Sequence, residues 1–463
     1  MKATGIYSKL YRLIPLLGLT AHETRMVEKK FVIPNETGSA FDDALSASIA
    51  CFEGSSDSLN MGRGPLSRST GGLIPETFEA SGLRDYTVVN DNIITKKEVK
   101  QAYKAWTNAL VDISQTYAND GLIAAESLAE GVIDAAYAYN LGPVAFKPTW
   151  AEGMTTFRPT SEGALSYFVG GNNAYDDLGF GIGTHPPEDD CITGERSPWV
   201  KAKFKPAVIR LDGDTATAQG FLHTYGEDGY HGFVDKTFAY QKDDNGDLRL
   251  IAHHSSKNYD PNFDASDLDK PKLEVVKNQD FKRANKITLD DVEMAQDRWV
   301  GALVSISQTY KDKGYKAARK ESRSVIDLAY AYQNGAVAFK PTWTTGNTTF
   351  RTDKRGAMSY FVGAVNDNGK TIYDKYPGDI GFAKGSNNPG KSRSPWEFSW
   401  YENSVVRLNG DTATTMGWVY FQDEAGDTSK VDKTFEFMKD DDGEIKLVTH
   451  HSSSLYESPC TDS

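Results

Sequence analysis

Apolar residues return at steps of four and three in the segment that begins at Lys96. Val99, Tyr103, Trp106, Leu110, Ile113 and Tyr117 line up on one face and predict a helix that buries that face. TKKE (95–98) and TLDD (288–291) each place a threonine three residues before an acid, the capping-box pattern that starts a helix. A second helix is expected over about 121–139, then a strand at VAFKPT, a TTFR segment and a short helix through GALSYFVG. After these the pattern turns to strands, WVKAKFKPAVIRLDGDTATAQGFLHTY and GFVDKTFAYQKDDNGDLRLIAHHSS, with DGD and DNG where hairpins need turns. Helices followed by a strongly bent antiparallel sheet that wraps the long helix define an α+β domain. The acidic turns KDDNGDL and KDDDGEI lie between strands, so they are hairpin turns and not calcium loops.

The pattern occurs twice. AWTNALVDISQTY (105–117) returns as RWVGALVSISQTY (298–310), and VAFKPTW, TTFR, RSPW, GDTAT, VDKTF and HHSS all recur in order. The offset is 193 between Ala105 and Arg298 and settles at 197 between Asp235 and Asp432, so length changes fall in loops at about 171–195 and 364–392. A long period seen twice is a duplicated domain, each copy large enough for its own core. The expected organisation is a leader (1–85), a first domain (92–260), a linker (261–284) and a second domain (285–457).

Composition narrows the partners. A net charge of -13 and a pI near 5.2 disfavour nucleic acid and anionic membrane surfaces, whose affinity comes from Lys and Arg. Cys51, Cys191 and Cys460 are far apart and odd in number, which suggests neither a disulfide framework nor a thiolate metal site. No apolar run reaches the roughly 18 to 20 residues of a membrane span. The first 22 residues carry Lys2, Lys9 and Arg12 with the run LIPLLGLTA and resemble either a targeting presequence or a weak signal peptide; the expected destination is an organelle, a plastid before a mitochondrion. The Gly- and Ser-rich stretch that follows reads as leader or linker.

The two HHSS endings carry the candidate chemistry. Strict alternation along LRLIAHHSS puts Leu248, Leu250, Ala252, His254 and Ser256 on one face, and Ile445, Leu447, Thr449, His451 and Ser453 on one face in the second copy. His254, Ser256, His451 and Ser453 are therefore expected inward, at the mouth of a pocket. Adjacent strand histidines point apart, which weakens a zinc reading, and His22, His185, His223 and His231 have no counterparts in the second copy. Thr149 and Thr342 after KP, with Tyr167 and Tyr360 on the short helix, are polar candidates in apolar surroundings. Arg158, Arg196 and Arg210, with Arg351, Arg393 and Arg407, bind an anion or form salt bridges.

The order FKPT, TTFR, SYF, a long turn, DKTF and HHSS resembles the iota-class carbonic anhydrases, whose domains are similar to the association domain of calcium/calmodulin-dependent protein kinase II. The resemblance covers about 92–260 and 285–457. It implies a cone-shaped α+β barrel of the nuclear transport factor 2-like type in each copy, a dimer-forming surface, and hydration of CO2. By residue it points to Thr149, Tyr167, His254 and Ser256, and to Thr342, Tyr360, His451 and Ser453. Hydroxyls would hold CO2 and water while His254 or His451 takes the proton. The implied partners are CO2 and bicarbonate, with a homo-oligomer or a domain–domain pairing. The expected cofactor is none, with manganese or zinc as the alternatives. Two other readings stay open: a non-catalytic association module with a ligand-binding cavity, and an isomerase whose carboxylate base is Asp235 or Asp432.

Overall fold

The computed structural model describes residues 93–151, 153–171, 175, 177–185, 195–259, 274–276, 286–387, 393–440 and 442–456. The leader, the three cysteines and His22 lie outside these residues, as does most of the expected linker. Both repeats belong to one compact unit, Asn90–Ser463.

In the first repeat, α1 (Lys96–Asp120) starts at Thr95, whose side chain and that of Glu98 close a capping box. Gly121, at φ 85°, breaks the chain before α2 (Leu122–Ala136), and Gly314, at φ 73°, makes the same break inside α4 (Leu289–Ala329) of the second repeat. Between helices and sheet come β1 (Ala145–Lys147) and α3 (Ser161–Val169). The sheet is built from β2 (Trp199–Asp212), β3 (Thr215–Gly226), β4 (His231–Lys242) and β5 (Leu248–Ser256). Residues Glu274–Val276 of the expected linker form β6, giving the order β1-β5-β4-β3-β2-β6. The second repeat follows α4 with β7 (Ala338–Lys340), α5 (Lys354–Val362), β8 (Trp396–Asn409), β9 (Thr412–Asp423), β10 (Thr428–Lys439) and β11 (Ile445–Ser454), in the order β8-β9-β10-β11-β7.

Each sheet bends sharply where β2 or β8 carries a bulge, at Pro206/Val208 and Asn403/Val405. Gly220 and Gly417 sit opposite; a Cβ on Gly220 would lie 2.2 Å from the Lys205 carbonyl oxygen, so only glycine allows this close approach. The bend curls the sheet around the long helix, whose Trp106, Leu110 and Ile113 (Trp299, Leu303 and Ile306) fill the cone. The architecture is α+β in two repeats. No helix among the described residues is long and apolar enough to cross a membrane.

The other faces of the two sheets meet each other, which makes the domain–domain pairing internal to one chain. Thr217 Oγ1 accepts from Thr449 Oγ1 at 3.1 Å, and Gln219 Nε2 donates to the Ala338 carbonyl at 3.3 Å.

Candidate active site

A second bulge in each sheet decides which half of HHSS faces the cone. On β5, Leu250 pairs with Tyr240 and Ala252 pairs with Ala239, so Ile251 is an extra residue on its strand. On β11, Leu447 pairs with Phe437 and Thr449 with Glu436, leaving Val448 extra. One extra residue reverses the alternation beyond it. The face begun by Leu250 is thus continued by His253 and Ser255, and that begun by Leu447 by His450 and Ser452. The expected inward placement of His254, Ser256, His451 and Ser453 is corrected: these four lie between the repeats.

Inside the first cone, Thr149 Oγ1 and Ser255 Oγ are 2.5 Å apart, and the Tyr167 hydroxyl meets Thr149. The second cone repeats this, with Thr342 Oγ1 to Ser452 Oγ at 2.6 Å and Tyr360 against Thr342. The Tyr360 hydroxyl is buried and lacks a partner of hydrogen-bond geometry. Burial pushes both Tyr167 and Tyr360 well above the ordinary phenol range, so they remain protonated donors.

Beneath the hydroxyls lies a chain absent from the sequence reading. Trp106 Nε1 donates to Tyr137 Oη at 3.0 Å, Tyr137 Oη is 2.8 Å from His253 Nδ1, and His253 Nε2 is 2.8 Å from Lys236 Nζ. Phe146 stacks on His253 with centroids 4.5 Å apart. In the second cone the same places are held by Trp299, Tyr330, His450 and Lys433, and Lys433 Nζ also donates to Ser452 Oγ at 2.8 Å. The sequence did hold one signal for these lysines: VDKTF recurs in both copies and must send its Lys to the face opposite its Asp. A cavity of about 80 Å³, lined by Trp150, Phe180, Thr224 and Phe233, shares the Phe180 ring with Tyr167. That is room for a few waters or a very small molecule.

On the outer faces the repeats exchange partners. Lys147 Nζ is 3.4 Å from Asp432 Oδ2 and Lys340 Nζ is 3.3 Å from Asp235 Oδ2. His254 meets Thr434 at 2.8 Å and Asp432 Oδ1 at 3.0 Å, while His451 meets Thr237 at 2.8 Å and Ser256 at 2.9 Å. Burial pushes His254 down to about 4, against the pull of Asp432. Burial alone would raise Asp432, but Lys147 and His254 outweigh it and hold the carboxyl far below its usual range. Asp235 goes the other way, raised by burial to about 6. Asp235 and Asp432 are thus buried between the sheets and not on the surface, and they do not line the cones. The arginines Arg158, Arg210 and Arg351 form salt bridges with Asp177, Asp212 and Asp379. Among the described residues, no group of three or more His, Cys, Asp or Glu side chains is arranged to hold a metal ion.

Residues 97–257 and 290–454 both match the family described as metal-independent carbonic anhydrase. The chain belongs to that family. A relative from Nostoc sp. (strain PCC 7120 / SAG 25.82 / UTEX 2576), named metal-independent carbonic anhydrase, is 45% identical over 172 residues, which are 37% of this chain and 75% of the relative. A solved cyanobacterial iota-carbonic anhydrase complexed with bicarbonate is 42% identical, covering 39% of this chain and 99% of that one at a TM-score of 0.33. A putative calcium/calmodulin-dependent protein kinase II association domain from Xanthomonas campestris is 20% identical over 38% of this chain and 97% of that one, at a TM-score of 0.21.

Proposed function

We propose that each repeat hydrates CO2 reversibly to bicarbonate without a metal, at the cluster Thr149, Tyr167, Ser255 and His253 and at its twin Thr342, Tyr360, Ser452 and His450. The observation that carries this reading is the converging pair of hydroxyls, Thr149 with Ser255 and Thr342 with Ser452, beside a buried tyrosine in each cone. Free water has a pKa of about 15.7, so without a metal its proton must leave as its oxygen attacks. The new C–O bond forms at the carbon of CO2, one C=O pair moves onto oxygen, and the hydroxyl donors receive that negative charge. Stopped-flow CO2 hydration after exhaustive chelation tests the reading: activity should persist, and activity that vanishes and returns with one added metal contradicts it. The plastid address remains a proposal, supported by Lys2, Lys9 and Arg12 before the apolar run. A fluorescent fusion of the first 90 residues tests it.

A further inference from the structure

Counting donors around His253 fixes the charge of its neighbour. An indole N–H only donates, so the Tyr137 oxygen accepts from Trp106, and His253 Nδ1 is the acceptor that the described residues place against the Tyr137 hydrogen, which would otherwise be buried unpaired. The neutral ring then carries its one N–H on Nε2, which faces Lys236 Nζ at 2.8 Å. An ammonium there would set hydrogen against hydrogen; an amine offers a lone pair. In the second cone Trp299, Tyr330 and His450 are linked in the same way at 3.0 and 2.9 Å, with Lys433 Nζ 3.3 Å from His450 Nε2.

The surroundings are three aromatic rings, whose faces attract a cation but do not replace the hydration it loses on burial. Lys236 Nζ lies 4.5 Å from the Trp106 ring centroid, 5.7 Å from that of Phe238 and 5.9 Å from that of Phe180. Burial holds Lys236 well below the usual ammonium range, and no carboxylate offsets it. Burial brings Lys433 down to about 7, with Asp432 pulling it up and Lys340 pushing it down from across the sheet. The titratable groups facing the amines are His253 and Tyr137 in one cone, and His450 and Tyr330 in the other.

We propose that Lys236 and Lys433 stand as uncharged amines and receive the proton that water loses on adding to CO2, passed through Ser255 and Ser452. Lys236 and Ser255 are cross-strand neighbours, as are Lys433 and Ser452, whose polar atoms are 2.8 Å apart. As the C–O bond forms, the water O–H bond breaks toward the serine oxygen, the amine turns its lone pair from the imidazole N–H to the serine, and the serine hydrogen passes to Nζ. The ammonium then yields its proton to buffer before the next turnover. This rests on the carbonic anhydrase reading for the reaction, but not for the charge state.

The charge state is read directly by NMR of the full chain labelled with 15Nζ-lysine, across pH 5 to 11. Two resonances should hold the amine position at pH 8.5, and each should disappear in K236M or K433M. Titration of every lysine near about 10.4 overturns the proposal. In stopped flow, K236M/K433M, shown to be folded by its circular dichroism and thermal unfolding, has no amine to accept a proton, so kcat should fall at least about 100-fold, the scale of general base assistance, and the acid limb of its pH profile should disappear. Near-normal turnover in this variant overturns the role. A wild-type chain that hydrates no CO2 but shows the two amine resonances would refute the reaction while leaving the charge assignment standing.

Discussion

The imidazoles of His254 and His451, one from each repeat, lie parallel with centroids 3.7 Å apart and an interplanar angle of 2°. Two like charges near 4 Å repel by about 4 kcal/mol at an effective dielectric of 20, so the stack requires at least one neutral ring. These histidines join the repeats. H254A, which takes one partner from Thr434 and Asp432, or H451A, which takes one from Thr237 and Ser256, should cost about 1–3 kcal/mol of stability while changing CO2 hydration by less than a few-fold. Thermal unfolding beside stopped flow checks both halves of the statement.

T149V/T342V removes one hydroxyl from each cone and keeps its volume close to constant. Loss of one such preorganised donor typically lowers kcat by about 100- to 1,000-fold. Because each cone is complete in itself, T149V alone should leave roughly half the total rate. A single substitution that silences the whole chain would show that the repeats act as one site.

Stability should fall on acidification and rise into the alkaline range. His253, His254, His450 and His451 are held below their ordinary 6.5 by burial, so the unfolded chain takes up protons that the folded chain refuses. Each costs up to about 1.4 kcal/mol per pH unit as pH falls below 6.5, and for His254 this runs to about pH 4. Asp235, raised to about 6, and Glu436, raised to about 7, oppose this as pH falls toward the ordinary carboxylate range, with Asp212 and Asp379 shifted the same way. The four histidines refuse more protons between pH 6.5 and 5 than these carboxyls take up. Lys433, lowered to about 7, adds stability as pH rises from 7 toward its ordinary 10.5. Urea midpoints at pH 5, 7 and 9 should increase in that order.

The first repeat alone, residues 93–259, should self-associate. Its outer face carries Asp235, Thr237, His254 and Ser256 against Lys340, Thr434, His451 and Ser453 of a similar face, so a second copy offers nearly the same partners. Light scattering should give a dimer, and D235N should weaken it.

The helices, the duplication and the bent sheet were legible because capping threonines, three-four spacing and recurring strings record them directly. The faces of the last strands were not. Ile251 and Val448 are apolar residues in runs buried on both sides, where alternation carries no signal, so nothing in the letters marks either as an extra residue. Thr149, Tyr167, Thr342 and Tyr360 could be named as candidates because a hydroxyl in an apolar stretch stands out, and each threonine meets its tyrosine in the fold. Lys236 and Lys433 were missed because lysine in a strand reads as solvent-facing; Asp235 and Asp432 were named as a possible base, but their burial between the repeats was not legible because a second sheet covers them.

Ser255 and Ser452, not Ser256 and Ser453, meet the threonines. Stopped-flow CO2 hydration of the chelated protein should drop by about 100-fold or more in S255A/S452A and stay within a few-fold of wild type in S256A/S453A. The opposite ranking would contradict the proposed site.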